Sequence, residues 1–118
     1  ANAAAHLEPG GSFVIELLVP ELRRLPPGER HVLFASGDDG HLGVDEYDVV
    51  SQRLTSHHYW VDDGAVAEAH TPQRYVWPSE LDLMARLAGM TRTERWSSWH
   101  REPFTSESPG HISVWTKD

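Results

Sequence analysis

The sequence predicts a single α/β domain in which helical segments flank an antiparallel sheet. Three features predict it: a turn and apolar strand within residues 6–16, strand-like segments over residues 31–76, and an amphipathic helix over residues 79–89. The chain has 118 residues, enough for one domain that buries about two-thirds of the surface exposed by its unfolded form.

The first element is a helix end that leads into a strand. The alanine-rich residues before Leu7 are typical of a helix, and Gly10 and Gly11 can adopt the positive φ with which helices often end. The apolar residues 13–15 predict an inner strand, buried on both faces and therefore in need of neighbours. A helical turn beginning at Pro20 is expected next.

An added antiparallel sheet is predicted over residues 31–76. Its three strand-like segments are residues 31–34, 46–61 and 66–76. Asp62, Asp63 and Gly64 join the last two as a hairpin, because Asp-Gly tolerates the positive φ of a tight turn. Pro72 cannot donate to a sheet ladder, so the last strand is expected at an edge or at a bulge.

The helix over residues 79–89 has recognisable ends. Ser79 is expected as its N-cap, with Asp82 three residues later. Gly89 is expected as the left-handed C-cap. One face carries an apolar stripe that predicts packing on the core, formed by Leu81, Met84, Ala85 and Ala88.

Two segments resemble class I S-adenosylmethionine-dependent methyltransferases of the small-molecule type. Leu-Glu-Pro-Gly-Gly at residues 7–11, followed by Phe-Val-Ile-Glu at residues 13–16, resembles the segment entering the fifth strand of that fold. Residues 75–90, which end in Ala-Gly-Met, resemble its last helix. The resemblance implies a partial Rossmann-like fold, with residues 91–99 and 111–115 as the closing antiparallel pair. It covers the whole chain but only the C-terminal half of such an enzyme.

The motif that holds the cofactor in this family does not occur in the chain. No G-x-G-x-G is present, and the Gly-Asp clusters at residues 37–40 and 62–64 have the composition of turns. We therefore expect a fragment that lacks the N-terminal cofactor-binding half. S-adenosylmethionine is expected in the intact protein, but no residue of this chain is assigned to it.

Composition excludes several classes of function. The net charge of −8 argues against nucleic-acid binding, which needs clustered Lys and Arg. No apolar run reaches about 18 residues, so no membrane partner is expected, and no signal peptide opens the chain. The absence of cysteine is compatible with a cytoplasmic protein.

Histidines are the candidate general bases, and the two predicted catalytic residues are His57 and His100. No metal site is expected at His57 and His58, because adjacent residues of a strand point to opposite faces. Thr55 and Tyr59, the same-face neighbours of His57 along the strand, are poor zinc ligands. The acidic run at residues 45–48 is instead expected to place Glu46 or Asp48 at the mouth of a pocket.

The resembled fold implies an acceptor site where the added sheet and the last strands meet. Its substrate-binding side chains are expected to be Tyr59, Tyr75, Trp77, Trp96, Trp99 and Arg101. From the residues alone, Trp96 and Trp99 fit either a core or a pocket wall.

Two functions from different classes remain open. The first is the substrate-side part of a methyltransferase acting on a small-molecule acceptor, not competent alone. The second is a non-catalytic ligand-binding or dimerisation module with a curved antiparallel sheet. In either case an apolar strand edge near Phe13, Val14 and Ile15 predicts a homo-oligomer, a dimer or larger, or association with the rest of a longer protein.

Overall fold

The computed structural model describes all 118 residues, Ala1–Asp118. They form two compact units, which we call the terminal unit (Ala1–Pro20 with Val76–Asp118) and the sheet unit (Glu21–Tyr75). None of the helices has the length and apolar character that a membrane crossing requires.

The chain contains both helices and antiparallel strands, which confirms the α/β class. Their bounds are α1 (Asn2–Ala5), β1 (Ser12–Leu18), a 3₁₀ turn (Leu22–Arg24), β2 (His31–Ser36), β3 (His41–Asp48), β4 (Arg53–Asp62), β5 (Ala65–Arg74), α2 (Pro78–Leu87), β6 (Met90–Trp96) and β7 (Gly110–Lys117).

The terminal unit is a three-stranded antiparallel sheet with the strand order β1-β7-β6. The predicted closing pair is confirmed as β6 and β7, although β6 ends at Trp96, three residues earlier than expected. The core of this unit is a cluster of buried side chains from both helices and the sheet, formed by Ala4, Ala85, Met90 and Trp115.

The turn before β1 uses its two glycines differently. Gly10 has the expected positive φ of 85°, whereas a Cβ at Gly11 would lie 2.9 Å from the Glu8 carbonyl oxygen. Both glycines bond the backbone of Lys117 and so fasten the start of β1 to the end of β7. Gly11 is therefore required by a close approach, not by its φ.

The expectation that β1 is an inner strand buried on both faces is wrong for this chain. β1 pairs with β7 alone and lies at the edge of the sheet. Val14 is 46% exposed and Leu18 is 80% exposed. The apolar run predicts the strand correctly, but its burial depends on neighbouring strands, and this chain supplies only β7.

The N-cap of helix α2 lies two residues earlier than the sequence suggested. Its N-cap is Trp77 and Pro78 is the first helical residue, as suits a residue that has no N–H to satisfy. The Trp77 N–H donates to Glu80 Oε1 at 3.3 Å, so the expectation of Ser79 as N-cap is wrong. Gly89 has the predicted left-handed conformation, with φ 78°, but the C-cap is Ala88 and the helix ends at Leu87.

The sheet unit is a four-stranded antiparallel sheet with the order β2-β3-β4-β5. The prediction of one long strand over residues 46–61 is wrong, since a turn at residues 49–52 separates β3 from β4. Asp48 causes it: its carboxylate accepts the Val50 N–H at 3.0 Å and the Ser51 hydroxyl at 2.9 Å. Such local bonds favour a turn over a continued strand.

The hairpin between β4 and β5 is confirmed. Asp63 and Gly64 have φ values of 49° and 78°, the two positive values of a type I′ turn. β5 runs without interruption through Pro72 and is an edge strand, where a proline costs no ladder bond.

The first and last residues of the sheet unit, Glu21 and Tyr75, both contact the side chain of Tyr47. The Glu21 N–H donates to the hydroxyl of Tyr47 at 3.3 Å, and the ring of Tyr75 packs edge-on against the ring of Tyr47, with centroids 5.7 Å apart. Both tyrosines are buried, and this burial raises the pKa of Tyr47.

Candidate functional site

The predicted site residues fall in both units. Trp77, Trp96, Trp99, His100 and Arg101 belong to the terminal unit. His57, Tyr59 and Tyr75 belong to the sheet unit. That the five residues of the terminal unit and the three of the sheet unit form one cluster stays a prediction.

Four of these residues lie in one closed loop, residues 96–103, which we call the tryptophan loop. Trp96 forms an isolated bridge with Pro103, and the Ser97 N–H donates to the Glu102 carbonyl at 2.9 Å. The Arg101 N–H donates to the Ser98 carbonyl at 3.1 Å and closes a tight turn at the tip. The loop therefore presents Trp99, His100 and Arg101 together.

Trp99 is held in place although its ring is exposed. Its indole N–H donates to Glu16 Oε2 at 2.9 Å, across 83 positions of sequence, while 61% of the residue remains exposed. Glu16 lies near the end of β1. No role was predicted for Glu16, whose only signal in the sequence is a carboxylate directly after the apolar residues 13–15.

Arg101 completes the loop with a cation–π contact. Its guanidinium carbon lies 4.9 Å from the centroid of the half-buried Trp96 ring. Arg101 has φ 60°, a left-handed conformation that costs a non-glycine residue energy and occurs often at functional sites. His100 is exposed next to it, with its backbone N–H bonded to Ser98 Oγ.

A polar network centred on the buried side chain of Arg95 joins α2, β6 and β7 of the terminal unit. Arg95, with 7% of its side chain exposed, donates to both carboxylate oxygens of Asp82 at 3.0 and 2.8 Å. Its Nε donates to Ser113 Oγ at 2.7 Å, and the indole of Trp115 donates to the same carboxylate at 3.0 Å. Burial alone would raise the pKa of Asp82, but the bonds from Arg95 and Trp115 lower it below its usual value.

His111 is the inner end of this network. Its Nδ1 lies 2.7 Å from Ser113 Oγ, and its Nε2 is buried without a hydrogen-bond partner. Burial, and secondarily the charge of Arg95, lower the pKa of His111. The network ties α2 to β6 and β7 and leaves His111 neutral.

In the sheet unit, His57 and His58 point to opposite faces of the sheet, as predicted. On one face, His57 Nε2 lies 3.0 Å from Glu46 Oε1, and His57 Nδ1 lies 2.7 Å from His70 Nδ1. The other nitrogen of His70 lies 3.3 Å from Glu68 Oε2. His70 was not among the predicted site residues, because it is a neighbour of His57 across the ladder and not along the same strand.

On the opposite face, His58 is part of an aromatic cluster. His41 Nε2 lies 2.9 Å from His58 Nδ1, and both rings stack on Trp60. Phe34 packs edge-on against His58, with centroids 5.2 Å apart. A Cβ at Gly43 would lie 2.3 Å from the Phe34 ring, so the glycine makes room for it.

Glu46 and Asp48 line an open depression of about 670 Å³ in the sheet unit, as predicted for the acidic run. Leu22, Tyr47 and Arg53 are among its other walls. The bond from His57 lowers the pKa of Glu46, and bonds from Ser51 and Val50 lower that of Asp48.

The remaining two aromatic candidates differ in exposure. Tyr59 is half-buried beside His70, with ring centroids 5.9 Å apart. Tyr75 is only 7% exposed, so its ring contributes to the core of the sheet unit.

The residues of this chain do not fit a site for S-adenosylmethionine. Nucleotide-type cofactors are held where a glycine-rich loop leads from a strand into a helix N-terminus. Here α2 is preceded by Trp77 and begins at Pro78, and the positive-φ glycines lie in turns or directly after the α2 C-cap. No group of three or more His, Asp or Glu side chains is arranged to hold a metal ion.

No protein-family model matches the chain, and no curated protein does. Solved structures do. The CcbJ methyltransferase from Streptomyces caelestis is 32% identical, with a TM-score of 0.82 over 99% of this chain and 50% of its own. An S-adenosylmethionine-dependent methyltransferase from Clostridium acetobutylicum is 10% identical, with a TM-score of 0.67 over 97% of this chain and 47% of its own.

A third neighbour is CalS10 from Micromonospora echinaspora, an amino pentose methyltransferase involved in calicheamicin biosynthesis and solved with S-adenosylmethionine bound. It is 19% identical, with a TM-score of 0.58 over 98% of this chain and 47% of its own. The chain thus spans about half the length of these neighbours. Its fold, a partial Rossmann-like sheet with an added antiparallel sheet, is one that solved methyltransferases contain.

Proposed function

We propose that this chain is the C-terminal, acceptor-binding part of an S-adenosylmethionine-dependent methyltransferase of class I that methylates a small molecule. The 32% identity and TM-score of 0.82 to the CcbJ methyltransferase support it. The chain alone is not competent, because its own residues do not fit the methyl donor. The donor is held by the rest of an intact protein.

The acceptor is bound at the tryptophan loop. A single observation carries this assignment: the exposed ring of Trp99 is oriented by a bond to Glu16, 83 positions away. An exposed tryptophan held in one orientation offers a rigid apolar wall at low entropic cost. The carboxylate of Glu16, at the foot of this wall, favours an acceptor that carries an amine or hydroxyl donor.

Some residues of the tryptophan loop position the acceptor, and another accepts its proton. Methyl transfer requires the attacking atom to lie in line with the methyl group, so most of the rate enhancement comes from orientation. Trp99 and Trp96 supply surfaces for the acceptor, and Arg101 orders Trp96 through its cation–π contact. His100, exposed between Trp99 and Arg101, is placed to accept the proton of the attacking group.

The test is Trp99→Ala in the intact methyltransferase. We expect kcat/KM for the acceptor to fall about 10-fold or more, with cofactor affinity unchanged. The reason is that loss of an aromatic wall from a recognition site typically costs a few kcal/mol. Glu16→Ala should reproduce part of this loss by releasing the ring. Leu87→Ala, 91% exposed on the same unit, is the matched control and should leave both constants unchanged.

Two results contradict the assignment. If Trp99→Ala unfolds the protein, the ring is a structural element. If kcat/KM is unchanged in a folded variant, the acceptor binds elsewhere, and His57, Tyr59, Tyr75 and Trp77 become the residues to test.

One observation favours the second candidate function, a dimerisation module. The outer edge of β1 is unpaired and carries exposed Val14 and Leu18. Unpaired apolar edges recruit other strands, so we propose that the chain associates there, with a second copy or with the rest of a longer protein. This role is compatible with the methyltransferase assignment.

A further inference from the structure

We propose that His57 and His70 form a two-histidine site for a divalent transition-metal ion of the zinc, nickel or copper class, bound between their Nδ1 atoms. The site lies in the sheet unit and does not depend on the proposed methyl transfer. Four residues build it, two histidines and two glutamates.

The backbone places the two imidazoles side by side. His57 on β4 is directly opposite His70 on β5 in the antiparallel ladder, so both side chains leave the same face of the sheet. Their Nδ1 atoms are 2.7 Å apart, and their ring planes are inclined by 68°.

Each imidazole has a carboxylate on its other nitrogen. His57 Nε2 lies 3.0 Å from Glu46 Oε1, and His70 Nε2 lies 3.3 Å from Glu68 Oε2. An ionised carboxylate only accepts hydrogen bonds, so each Nε2 carries the proton.

This assignment leaves two lone pairs facing each other. A neutral imidazole with its proton on Nε2 has an acceptor at Nδ1, and two acceptors 2.7 Å apart repel unless a cation lies between them. Imidazole nitrogens oriented by carboxylates on their far side are the usual way in which proteins present histidine to zinc, copper and nickel.

The second histidine pair of the same sheet shows the contrast. His41 Nε2 and His58 Nδ1 are 2.9 Å apart, and their partners are aromatic rings. One nitrogen can donate and the other accept, so an ordinary hydrogen bond satisfies this pair. On the face where two carboxylates fix both tautomers, either a metal ion or a shared proton must lie between the two Nδ1 atoms.

The geometry admits a metal after a small adjustment. Two nitrogens bound to zinc at about 2.0 Å in tetrahedral geometry lie about 3.3 Å apart, so the rings must separate by roughly 0.6 Å. The side chains of His57 and His70 are 22% and 42% exposed, which leaves them room to rotate. Water completes the coordination, because no third protein ligand is arranged there.

A metal at this site excludes His57 as a general base. Coordination uses the Nδ1 lone pair, and the Nε2 proton is engaged by Glu46. The role of His57 expected from the sequence and the role proposed here are therefore alternatives, and one titration separates them.

The experiment is calorimetric titration of the 118-residue chain with zinc chloride and, separately, nickel chloride. We expect saturable binding of one ion per chain. His70→Gln and His57→Gln should each weaken binding about 10-fold or more, since even loss of an outer partner costs 10- to 100-fold. Glu46→Gln should weaken it by about 10-fold.

His58→Gln is the matched control, because it is the next residue on the same strand and points to the other face. Its metal affinity should equal that of the wild type. Nitrogen NMR of the imidazoles adds a readout that a merely structural change does not move: on metal addition, Nδ1 of His57 and His70 should shift while Nε2 keeps its proton. Circular dichroism verifies that each variant is folded, and if His57→Gln is not, His70→Gln decides.

Two results overturn the proposal. In the first, the wild type binds no zinc or nickel at millimolar concentration, which means that the rings share a proton. In the second, His70→Gln or His57→Gln, folded, binds the metal as tightly as the wild type does.

Discussion

The two units handle ionisable groups in opposite ways. In the terminal unit, Arg95 and Asp82 are drawn inward and bonded on several sides. In the sheet unit, Glu46, His57 and His70 lie on an open face with partly exposed side chains. Charges that are buried and fully partnered hold elements together, whereas exposed charges can change partner, proton or ligand at little structural cost.

The largest expected effect tests the buried half of this comparison. Asp82→Asn removes the charge that pairs with Arg95, and loss of one partner of a buried pair costs about 3–5 kcal/mol. The free energy of unfolding should fall by about 3 kcal/mol, since Asp82 keeps 29% of its side chain exposed. Urea unfolding of the variant measures it.

Asp48→Asn in the sheet unit is the control, since its carboxylate is exposed and bonds only its own turn. It should cost much less than Asp82→Asn, because exposed charges contribute little to stability. Equal losses for Asp82→Asn and Asp48→Asn would remove the distinction between the two units.

The next effect concerns the edge of the terminal unit. We expect the chain to be a dimer or larger at high concentration, with strand addition near Phe13, Val14 and Ile15. Light scattering gives the mass, and hydrogen exchange at residues 13–18 shows whether the edge is covered. Val14→Lys should shift the equilibrium toward monomer. A monodisperse monomer with freely exchanging amides at residues 13–18 contradicts this prediction.

A smaller effect is the pH dependence due to His111. Its folded-state pKa is lowered by burial, so the unfolded chain binds its proton more readily. The contribution of His111 is therefore complete above its ordinary pKa of about 6.5 and is lost as pH falls below that value.

The measurement is urea unfolding at several values between pH 5 and 7.5, for the wild type and His111→Gln. The variant should lose less stability on acidification. Parallel curves would mean that the titration of His111 does not contribute.

The smallest expected effect is a null result. Neither unit supplies the glycine loop that a nucleotide-type cofactor needs, so calorimetric titration of the 118-residue chain with S-adenosylmethionine should be flat. Saturable micromolar binding would show that one of the units contains a cofactor site that neither its glycines nor its helix N-terminus indicates.

Local patterns were enough to predict the elements whose limits depend on nearby residues. The Asp63-Gly64 turn, the left-handed conformation of Gly89 and the edge position of β5 follow from φ preferences and from the missing N–H of Pro72. The turn at residues 49–52 was missed because Val49 and Val50 favour strands, and the bonds of Asp48 overrode that preference.

The site contacts depend on pairing between distant residues, and most could not be predicted. Trp99 meets Glu16 only because loop and strand are brought together by the sheet. The pair His57 and His70 is different. Both residues lie equally far from the Asp63-Gly64 turn, so the predicted hairpin already implied their register.

The convergence on Tyr47 bears on how such a protein can change over generations. Because Glu21 and Tyr75 contact the same side chain, that of Tyr47, residues 21–75 form an insertion whose first and last residues lie close together. Related proteins can lengthen, shorten or exchange such an insertion while β1, β6 and β7 keep their register. His57, His70 and the acidic depression, which lie within residues 21–75, are then inherited or lost together.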